Sequence, residues 1–262
     1  MRPLIECVPN FSEGRDRAIV ESLAAAITSV ADVRLLGYTM DPDHHRSVLT
    51  FVGPPEAVGE AAWRAIVKAT ELIDLRHHQG VHPRIGATDV VPFVPFQNSS
   101  MDDCVQLARR IGERVGTALN IPVFLYEEAA SSTMRHKLET IRRGGLKGLA
   151  SRMAQDQAWA PDFGPLHLHE TAGAIAIGAR QPLIAFNVNL ATTALSIAQD
   201  IARSIRESNG GLPCLKAIGV PLTSRGLVQV AMNLTDYHVT SLSQAFHAVE
   251  IEAAKRGVEI AG

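Results

Sequence analysis

The sequence has 262 residues, and its 25 Lys and Arg nearly balance its 27 Asp and Glu, for a formal net charge of −2. A nucleic-acid-binding protein needs a basic excess to replace condensed counterions, so this balance argues against that class. Apolar residues make up 46% of the chain, which is typical of a globular protein. The longest apolar runs, such as 90–96, are far shorter than the roughly 20 residues of a membrane helix.

The N-terminal sequence and the cysteines indicate the cytoplasm. Glu6 comes before any apolar segment of signal-peptide length. Cys7, Cys104 and Cys214 are odd in number, widely spaced and without a C-x-x-C motif. Neither a disulfide framework nor a zinc ribbon is therefore predicted, and we expect buried thiols without chemistry.

The first half of the chain predicts a β-α-β-β-α succession closed by one more strand. This is the order of the ferredoxin-like split β-α-β unit. Apolar alternation and four-residue spacing predict these elements. The strands are predicted over 4–8, 33–38, 47–52 and 89–93, and the helices over 16–29 and 53–73.

The second half repeats this order, because aligning Leu4 with Leu183 also places Asn10 on Asn189. Strands are predicted over 183–187, 214–220 and 227–233, helices over 193–207 and 241–256, and a closing strand over 258–260. The pattern predicts an α+β protein of two ferredoxin-like subdomains, 1–180 and 181–262, with mixed sheets and helices on the outer faces. We expect a ligand tunnel between them, and a connector in the Pro- and aromatic-rich stretch 158–165.

Histidines are clustered, and the sharpest cluster lies in segment 76–89. Glycines flank His82 on both sides, and Pro83 disfavours the helical region for it, so its imidazole should project from a stiff loop. Such an imidazole suits a general base at neutral pH. Arg84, two residues on, would point the same way and could bind a carboxylate. The alternative is that these are surface loop residues.

A metal site is the competing interpretation. His78 and His82 are four residues apart, and His167 and His169 alternate as a strand could present them. Gly80 and Pro83, however, break the helix that would align the first pair, and no H-E-x-x-H motif is present. We therefore predict no catalytic metal. No P-loop, G-x-G-x-x-G or G-x-S-x-G pattern is present either, which argues against nucleotide binding and a serine nucleophile.

Five strings carry a resemblance to a known family. They lie at 6–14 (ECVPNFSEG), 50–53 (TFVG), 82–87 (HPRIGA), 161–165 (PDFGP) and 185–190 (AFNVNL). In content and order they resemble the formiminotransferase domain family, and the resemblance runs from Leu4 to Gly262.

The resemblance implies transfer of a formimino group from N-formimidoyl-L-glutamate to N5 of tetrahydrofolate, a step of histidine degradation. It also implies two subdomains around a folate tunnel, a homodimer and no metal. His82 in the H-P-R-x-G-A string corresponds to the family's catalytic histidine. One imidazole could take the N5 proton and return it to the departing glutamate amine.

Both implied substrates carry carboxylates, which arginines such as Arg46 and Arg84 could bind in bidentate fashion. The family's folate-binding segment corresponds to 163–172. The implied substrate- and folate-binding residues are Phe163, Gly164, Pro165, Leu166, His167, Leu168, His169, Glu170, Thr171, Ala172, Asn10, Arg46 and Arg84.

This sequence departs from the family pattern at three places. Thr39 stands where some members have Asp, and His45 stands where an Asn often precedes the arginine. Members generally continue for some tens of residues past the string that is Gly257–Gly262 here, so a short second subdomain is expected. The residues leave open N-formylglutamate as the donor, a folate-binding protein without turnover, and a metal-dependent hydrolase.

Overall fold

The computed structural model describes residues 2–42, 44–80, 83–222 and 225–262. The chain divides into two compact units, 1–180 and 181–262. None of the helices in the described ranges combines the length and apolar character needed to cross a bilayer.

The first unit is built on a seven-stranded mixed sheet. Its strands are β1 (Leu4–Cys7), β2 (Asn10–Phe11), β3 (Arg34–Asp41), β4 (Arg46–Gly53), β5 (Thr88–Gln97), β6 (Val123–Glu127) and β7 (Ile175–Ala179). β1 and β2 both lie between β4 and β5, with β3 on the outer side of β4. These pairings are antiparallel, whereas β5, β7 and β6 follow one another in parallel.

Five α-helices accompany this sheet among the described residues, and side chains cap the starts of two of them. They are α1 (Arg17–Thr28), α2 (Pro55–Leu72), α3 (Met101–Ala118), α4 (Leu138–Arg142) and α5 (Gly145–Gln155). The Asp16 carboxylate accepts the backbone N–H of Ala18 at 2.8 Å and so caps α1. Ser100 and Asp103 form a reciprocal capping box at the start of α3.

Alternating side chains divide between two apolar clusters on the two faces of the sheet. Val123 and Leu125 of β6 belong to the larger cluster, which also contains the buried residues of α1, α2 and α3. Phe124 and Tyr126 belong to a smaller cluster with residues of α4 and α5. The sheet of the first unit is therefore covered on both faces where β5, β6 and β7 lie side by side.

The second unit has a three-stranded antiparallel sheet in the order β8-β10-β9. Its elements are β8 (Ile184–Leu190), α6 (Leu195–Ile205), β9 (Leu215–Leu222), β10 (Leu227–Leu234) and α7 (Leu242–Lys255). Alternate residues of β10, among them Val230 and Met232, are buried in one cluster with residues of α6 and α7.

The predicted α+β class with two subdomains is confirmed. The first unit contains the ferredoxin-like strand order β3-β4-β1-β5, and the sheet of the second unit has the first three strands of that order. The predicted closing strand 258–260 is wrong: it is reduced to a single bridge between Leu190 and Ile260. The predicted connector 158–165 is also wrong, because this stretch lies inside the first unit. Its Trp159 is buried under the Arg152 guanidinium, and its Phe163 packs on α3. Cys7 and Cys104 are buried as expected, whereas Cys214 is only half-buried.

Candidate active site

A small pocket lined mostly by polar side chains lies in the first unit, at the end of the sheet where β2, β4 and β5 meet. Three segments supply its walls: the end of β2, the turn from β3 into β4, and the residues leading into β5. The lining residues are Phe11, Ser12, His44, His45, Arg46, Arg84 and Asp89. Ser12 joins two of these walls, since its hydroxyl donates to the Gly86 carbonyl at 2.7 Å.

Arg46 and Asn10, both predicted binding residues, meet at this pocket. Arg46 begins β4, and its Nη2 donates to the side-chain oxygen of Asn10 on β2. Burial, and to a smaller extent the nearby Arg142, lower the pKa of the Arg46 guanidinium to about 10, while Asp89 and Asp41 oppose the shift. The guanidinium therefore stays charged at neutral pH.

Asp89, at the second position of β5, is a buried carboxylate that interacts with three arginines, Arg46, Arg84 and Arg142. Its Oδ1 accepts the backbone N–H of Ile85 at 2.7 Å, and its Oδ2 accepts Nη2 of Arg142 from α4. Arg84 lies close enough that Asp89 raises the pKa of its guanidinium, although burial lowers that pKa more. Arg46, Arg84 and Arg142 bring three guanidiniums close to Asp89, and guanidiniums suit an anionic ligand.

Two histidine rings pack together behind the arginines. The rings of His45 and His78 have centroids 4.1 Å apart, and His78 Nε2 lies 3.0 Å from the His45 carbonyl. Because a carbonyl only accepts, His78 Nε2 carries the proton and Nδ1 holds the lone pair. Burial lowers the pKa of His78 to about 4, so this ring is neutral at pH 7.

His45 is held on several sides. Its backbone is in the left-handed region at φ 50°, which is unfavourable for a residue with a side chain. Its Nε2 lies 3.3 Å from Oε1 of Glu13, and both side chains are nearly buried. Burial lowers the pKa of His45, although the Glu13 carboxylate opposes this. Glu13 is itself fixed, because Oε1 accepts the backbone N–H groups of Arg15 and Asp16.

The loop that carries the predicted base approaches His45 closely. A Cβ on Gly80 would lie 2.6 Å from the His44 carbonyl oxygen and 2.8 Å from the His45 Cβ, so only glycine fits here. Arg84 Nη1 donates to the Gly80 carbonyl at 3.1 Å and closes the loop on itself. The predicted catalytic residue, His82, lies outside the described residues.

The predicted folate-binding segment 163–172 divides into two parts. At its start, Phe163 packs against Gly112 and Gly116 of α3, where a Cβ would meet its ring or backbone. At its end, the backbone is hydrogen-bonded to both ends of segment 75–87, which carries the clustered histidines. Leu75 N–H donates to Thr171 O, and Ala87 N–H donates to Ala172 O, both at 2.9 Å.

Between these ends the side chains differ in exposure. Glu170 forms an ion pair with Arg76 at 2.6 Å, and His169 Nδ1 accepts the Ala172 N–H at 3.1 Å. Leu168 packs on the smaller core cluster, whereas Leu166 is 66% exposed. Pro165 is half-buried, and Gly164 and His167 are exposed.

A pair of glycines locks this segment to the loop. A Cβ on Gly86 would lie 1.9 Å from the Ala174 carbonyl oxygen, and one on Gly173 would lie 2.4 Å from the Ile85 carbonyl oxygen. The small residues of this stretch therefore let two stretches of backbone pack against each other. The structure brings Asn10, Arg46, Arg84 and the end of segment 163–172 to one region, and Phe163 to another.

Sequence reasoning did not propose Glu13, Asp89 and Arg142 as parts of this site, and it noted Asp41 only as an acidic residue close to the Thr39 position. Asp89 lies two residues after the H-P-R-x-G-A string and could have been found there. Arg142 offers no pattern, because it comes from a short helix 53 positions along the chain from Asp89. Within the ranges that the structure describes, no group of three or more His, Cys, Asp or Glu side chains is arranged to hold a metal ion.

The two ferredoxin-like units, with a cationic, histidine-lined pocket in the first, define an α+β enzyme suited to small carboxylate-bearing molecules. Family models then divide the chain as the structure does. Residues 4–180 match the formiminotransferase domain, N-terminal subdomain, and residues 185–262 match the formiminotransferase domain. The chain belongs to the formiminotransferase family and is a transferase.

Individual relatives agree with this assignment. A glutamate formimidoyltransferase of Streptococcus pyogenes serotype M1 is 43% identical over 262 residues, which cover all of this chain and 87% of the relative. One of Thermoplasma acidophilum is 47% identical over 256 residues, covering 97% of this chain and 84% of the relative. A formimidoyltransferase-cyclodeaminase of Rattus norvegicus is 41% identical over all of this chain, which spans 49% of that longer protein.

Proposed function

We propose that this chain transfers the formimino group from N-formimidoyl-L-glutamate to N5 of tetrahydrofolate, giving 5-formimidoyltetrahydrofolate and L-glutamate. The observation that carries the proposal is the identity of 43% and 47% to two glutamate formimidoyltransferases over nearly the whole chain. Tetrahydrofolate is then the co-substrate, and the reaction belongs to histidine degradation.

The pocket supplies the charges that these substrates need. Formimidoylglutamate and the glutamate tail of folate are both carboxylates, and a guanidinium binds a carboxylate through two parallel N–H donors. We assign this role to Arg46 and Arg84, with Asn10 orienting Arg46 through their hydrogen bond. We assign segment 163–172 to the folate, because the Ala172 carbonyl at its end accepts the backbone N–H of Ala87, three residues after Arg84.

The chemistry requires a base beside N5. As N5 attacks the amidine-like carbon it becomes positively charged, and it must lose its proton before the product forms. We assign His82 as the base, between the described residues Gly80 and Pro83. Holding donor and acceptor together in one site supplies a further part of the rate acceleration.

We further propose that residues 1–180 and 181–262 form the N-terminal and C-terminal subdomains of one formiminotransferase, which works in the cytoplasm as a homodimer without a metal. The names of the relatives favour the formimino donor over N-formylglutamate and over folate binding without turnover.

The test is an assay of the purified chain with tetrahydrofolate and either N-formimidoyl-L-glutamate or N-formyl-L-glutamate. We expect turnover with the first donor and a loss of about 100-fold or more in kcat on His82→Ala, the usual contribution of a general base. His77→Ala is the matched control, since this ring in the same loop is 83% exposed and lies outside the pocket. Folate binding without turnover of the formimino donor would contradict the proposal.

A further inference from the structure

A second histidine of the pocket is built as a carboxylate–imidazole pair. Nδ1 of His44 lies 2.6 Å from Oδ2 of Asp41, and the backbone N–H of His44 donates to Oδ1 of the same carboxylate at 2.8 Å. Two contacts from one residue to one carboxylate fix the ring and place a proton on Nδ1. Nε2 is therefore the nitrogen that can exchange a proton with a ligand.

The other histidine–carboxylate contacts in the described ranges differ from this pair. His45, which also lines the pocket, lies 3.3 Å from Glu13, and both of these side chains are nearly buried. His77 and His136 lie 3.6 Å or more from their carboxylates, and His247 pairs with Glu250 at 3.0 Å on an exposed helix surface. The imidazole of His44 both contacts its carboxylate at 2.6 Å and lines the cationic pocket. Its side chain is 36% exposed, so water can reach the ring between turnovers.

The proposed reaction needs a proton at a second place. When the bond between the formimino carbon and the glutamate nitrogen breaks, its electron pair goes to that nitrogen. An aliphatic amine is far too basic to leave as an anion, so it must be protonated as it departs. The proton that His82 takes comes from N5 of tetrahydrofolate, whereas the proton needed here goes to the nitrogen of the glutamate. With a separate acid, a single imidazole does not have to move between these two nitrogens.

We propose that His44, held by Asp41, is the general acid that protonates the departing glutamate nitrogen, an inference that rests on the proposed function. In the step, N5 forms its bond to the formimino carbon and loses its proton to His82, while Nε2–H of His44 is transferred to the glutamate nitrogen as the C–N bond breaks. The enzyme ends with the proton on the other histidine. Water returns it to His44 before the next turnover, so protons and electrons balance.

Other charged groups lie close to His44 and contribute to the electrostatic potential at its ring. Arg15 donates to the Pro42 carbonyl in the same turn at 3.0 Å. The charged and titratable groups that line the pocket with His44 or lie directly behind it are Asp41, His45, Arg46, Arg84, Asp89, Glu13 and His78.

The test compares two donors that differ in the basicity of the amine that leaves. N-formimidoyl-3-fluoro-L-glutamate keeps both carboxylates but releases a less basic amine, which needs less help from an acid. With the natural donor, we expect His44→Gln to lower kcat about 100-fold with KM changed less than about twofold. With the fluorinated donor, the variant should recover about 10-fold, and the wild type less than about twofold.

The charge of the partner provides a second readout. Asp41→Asn keeps the shape of the partner but removes its charge, and we expect it to lower kcat with the natural donor while KM stays within about twofold. His247→Gln is the matched control, because it removes a histidine from an exposed carboxylate pair in the second unit.

The outcomes separate this inference from the proposed function. A wild-type chain without turnover overturns both. A wild-type chain that turns over while His44→Gln keeps its kcat, loses equally with both donors or changes only in KM overturns the role of His44 alone. One measurement is independent of activity: proton NMR of the resting enzyme should show a strongly deshielded Nδ1–H that disappears in His44→Gln and shifts in Asp41→Asn. Its absence from the wild type overturns the pair.

Discussion

The two units share one β-α-β-β-α plan but bury different side chains. In the first unit, Asn10, Ser12, Glu13, Ser47, Thr88, Asp89 and Arg135 are buried polar or charged residues, whereas among the described residues of the second unit only Thr240 is. The core cluster of the second unit is apolar throughout.

The closing strand explains this difference. In the first unit, β5 lies between β1 and β2 on one side and β7 on the other, so Asp89 near its start is interior. Helix α4 then supplies Arg142 as a partner for the carboxylate. In the second unit the corresponding segment makes a single bridge at Ile260, so no closing strand carries a buried carboxylate among its described residues. A buried charge needs partners from several elements, and only the first unit provides them.

Removal of the buried carboxylate should give the largest effect. Asp89→Asn leaves Arg46, Arg84 and Arg142 close together without their counter-charge. We expect it to lower the free energy of unfolding of the first unit by about 4 kcal/mol, as for other buried pairs that lose one partner. Hydrogen exchange resolved to peptides checks this, with faster exchange in β5 and α4.

The control for that prediction is Asp200→Asn. This carboxylate pairs with Arg203 at 2.8 Å on an exposed surface of the second unit, and its change should cost less than about 0.5 kcal/mol. An equally small effect of Asp89→Asn would show that the first unit does not depend on its buried charge.

An apolar truncation should have the largest effect in the second unit. Met232, 1% exposed in β10, lies in an apolar core where its loss leaves a cavity. We expect Met232→Ala to cost about 3 kcal/mol, by lost burial and the cavity together. Peptides of β8, β9 and β10 should exchange faster. The neighbouring exposed position gives the control, since Asn233→Ala should stay within about 0.5 kcal/mol. Similar costs at both positions would contradict the described alternation.

The smallest effect concerns pH and again belongs to the first unit. Burial lowers the pKa of His78 to about 4, below its unfolded value of about 6.5. As pH falls from 6.5 toward 4, the His78 ring binds a proton in the unfolded chain but not in the folded chain. The contribution of His78 to the free energy of unfolding is therefore complete above pH 6.5 and is lost on acidification. Because the ring is half-buried, we expect a loss of about 1 kcal/mol between pH 7 and pH 5.

The measurement is urea denaturation at pH 7 and pH 5 for the wild type and His78→Gln. The variant should lose less stability than the wild type over this interval. An identical loss in both proteins would mean that the His78 ring titrates normally in the folded state.

Much of the fold follows from local pattern. Apolar alternation predicts β4, where positions 47, 49, 51 and 53 are buried. Spacing by four predicts α1, which the structure shows to be capped by Asp16. The sequence interpretation did not assign β6 and β7. These parallel strands are buried on both faces and lack the alternation that marks a half-exposed strand. The rich Pro and aromatic content of 158–165 suggested a linker, but its aromatic rings fill the core.

The site was predictable only where its residues share a string. Asn10 and Arg84 lie in two of the five strings, and Arg46 was selected as an arginine that could bind a carboxylate. The fold brings the three residues together. Arg142 gave no pattern, because its partner Asp89 is distant along the chain and their approach depends on the packing of α4 on the sheet. The roles of His82 and of segment 163–172 stay predictions.

The back-to-back glycines at positions 86 and 173 have a practical consequence for anyone who alters this protein. Each faces the other strand's carbonyl where even a methyl group would collide, so neither position can be diversified alone or with its neighbour. In a saturation library of folded variants, we expect substitutions at both positions to be absent, whereas the surrounding loop residues tolerate them. The absence of substitutions at these two positions would identify the contact between the two backbone segments without any assay of turnover.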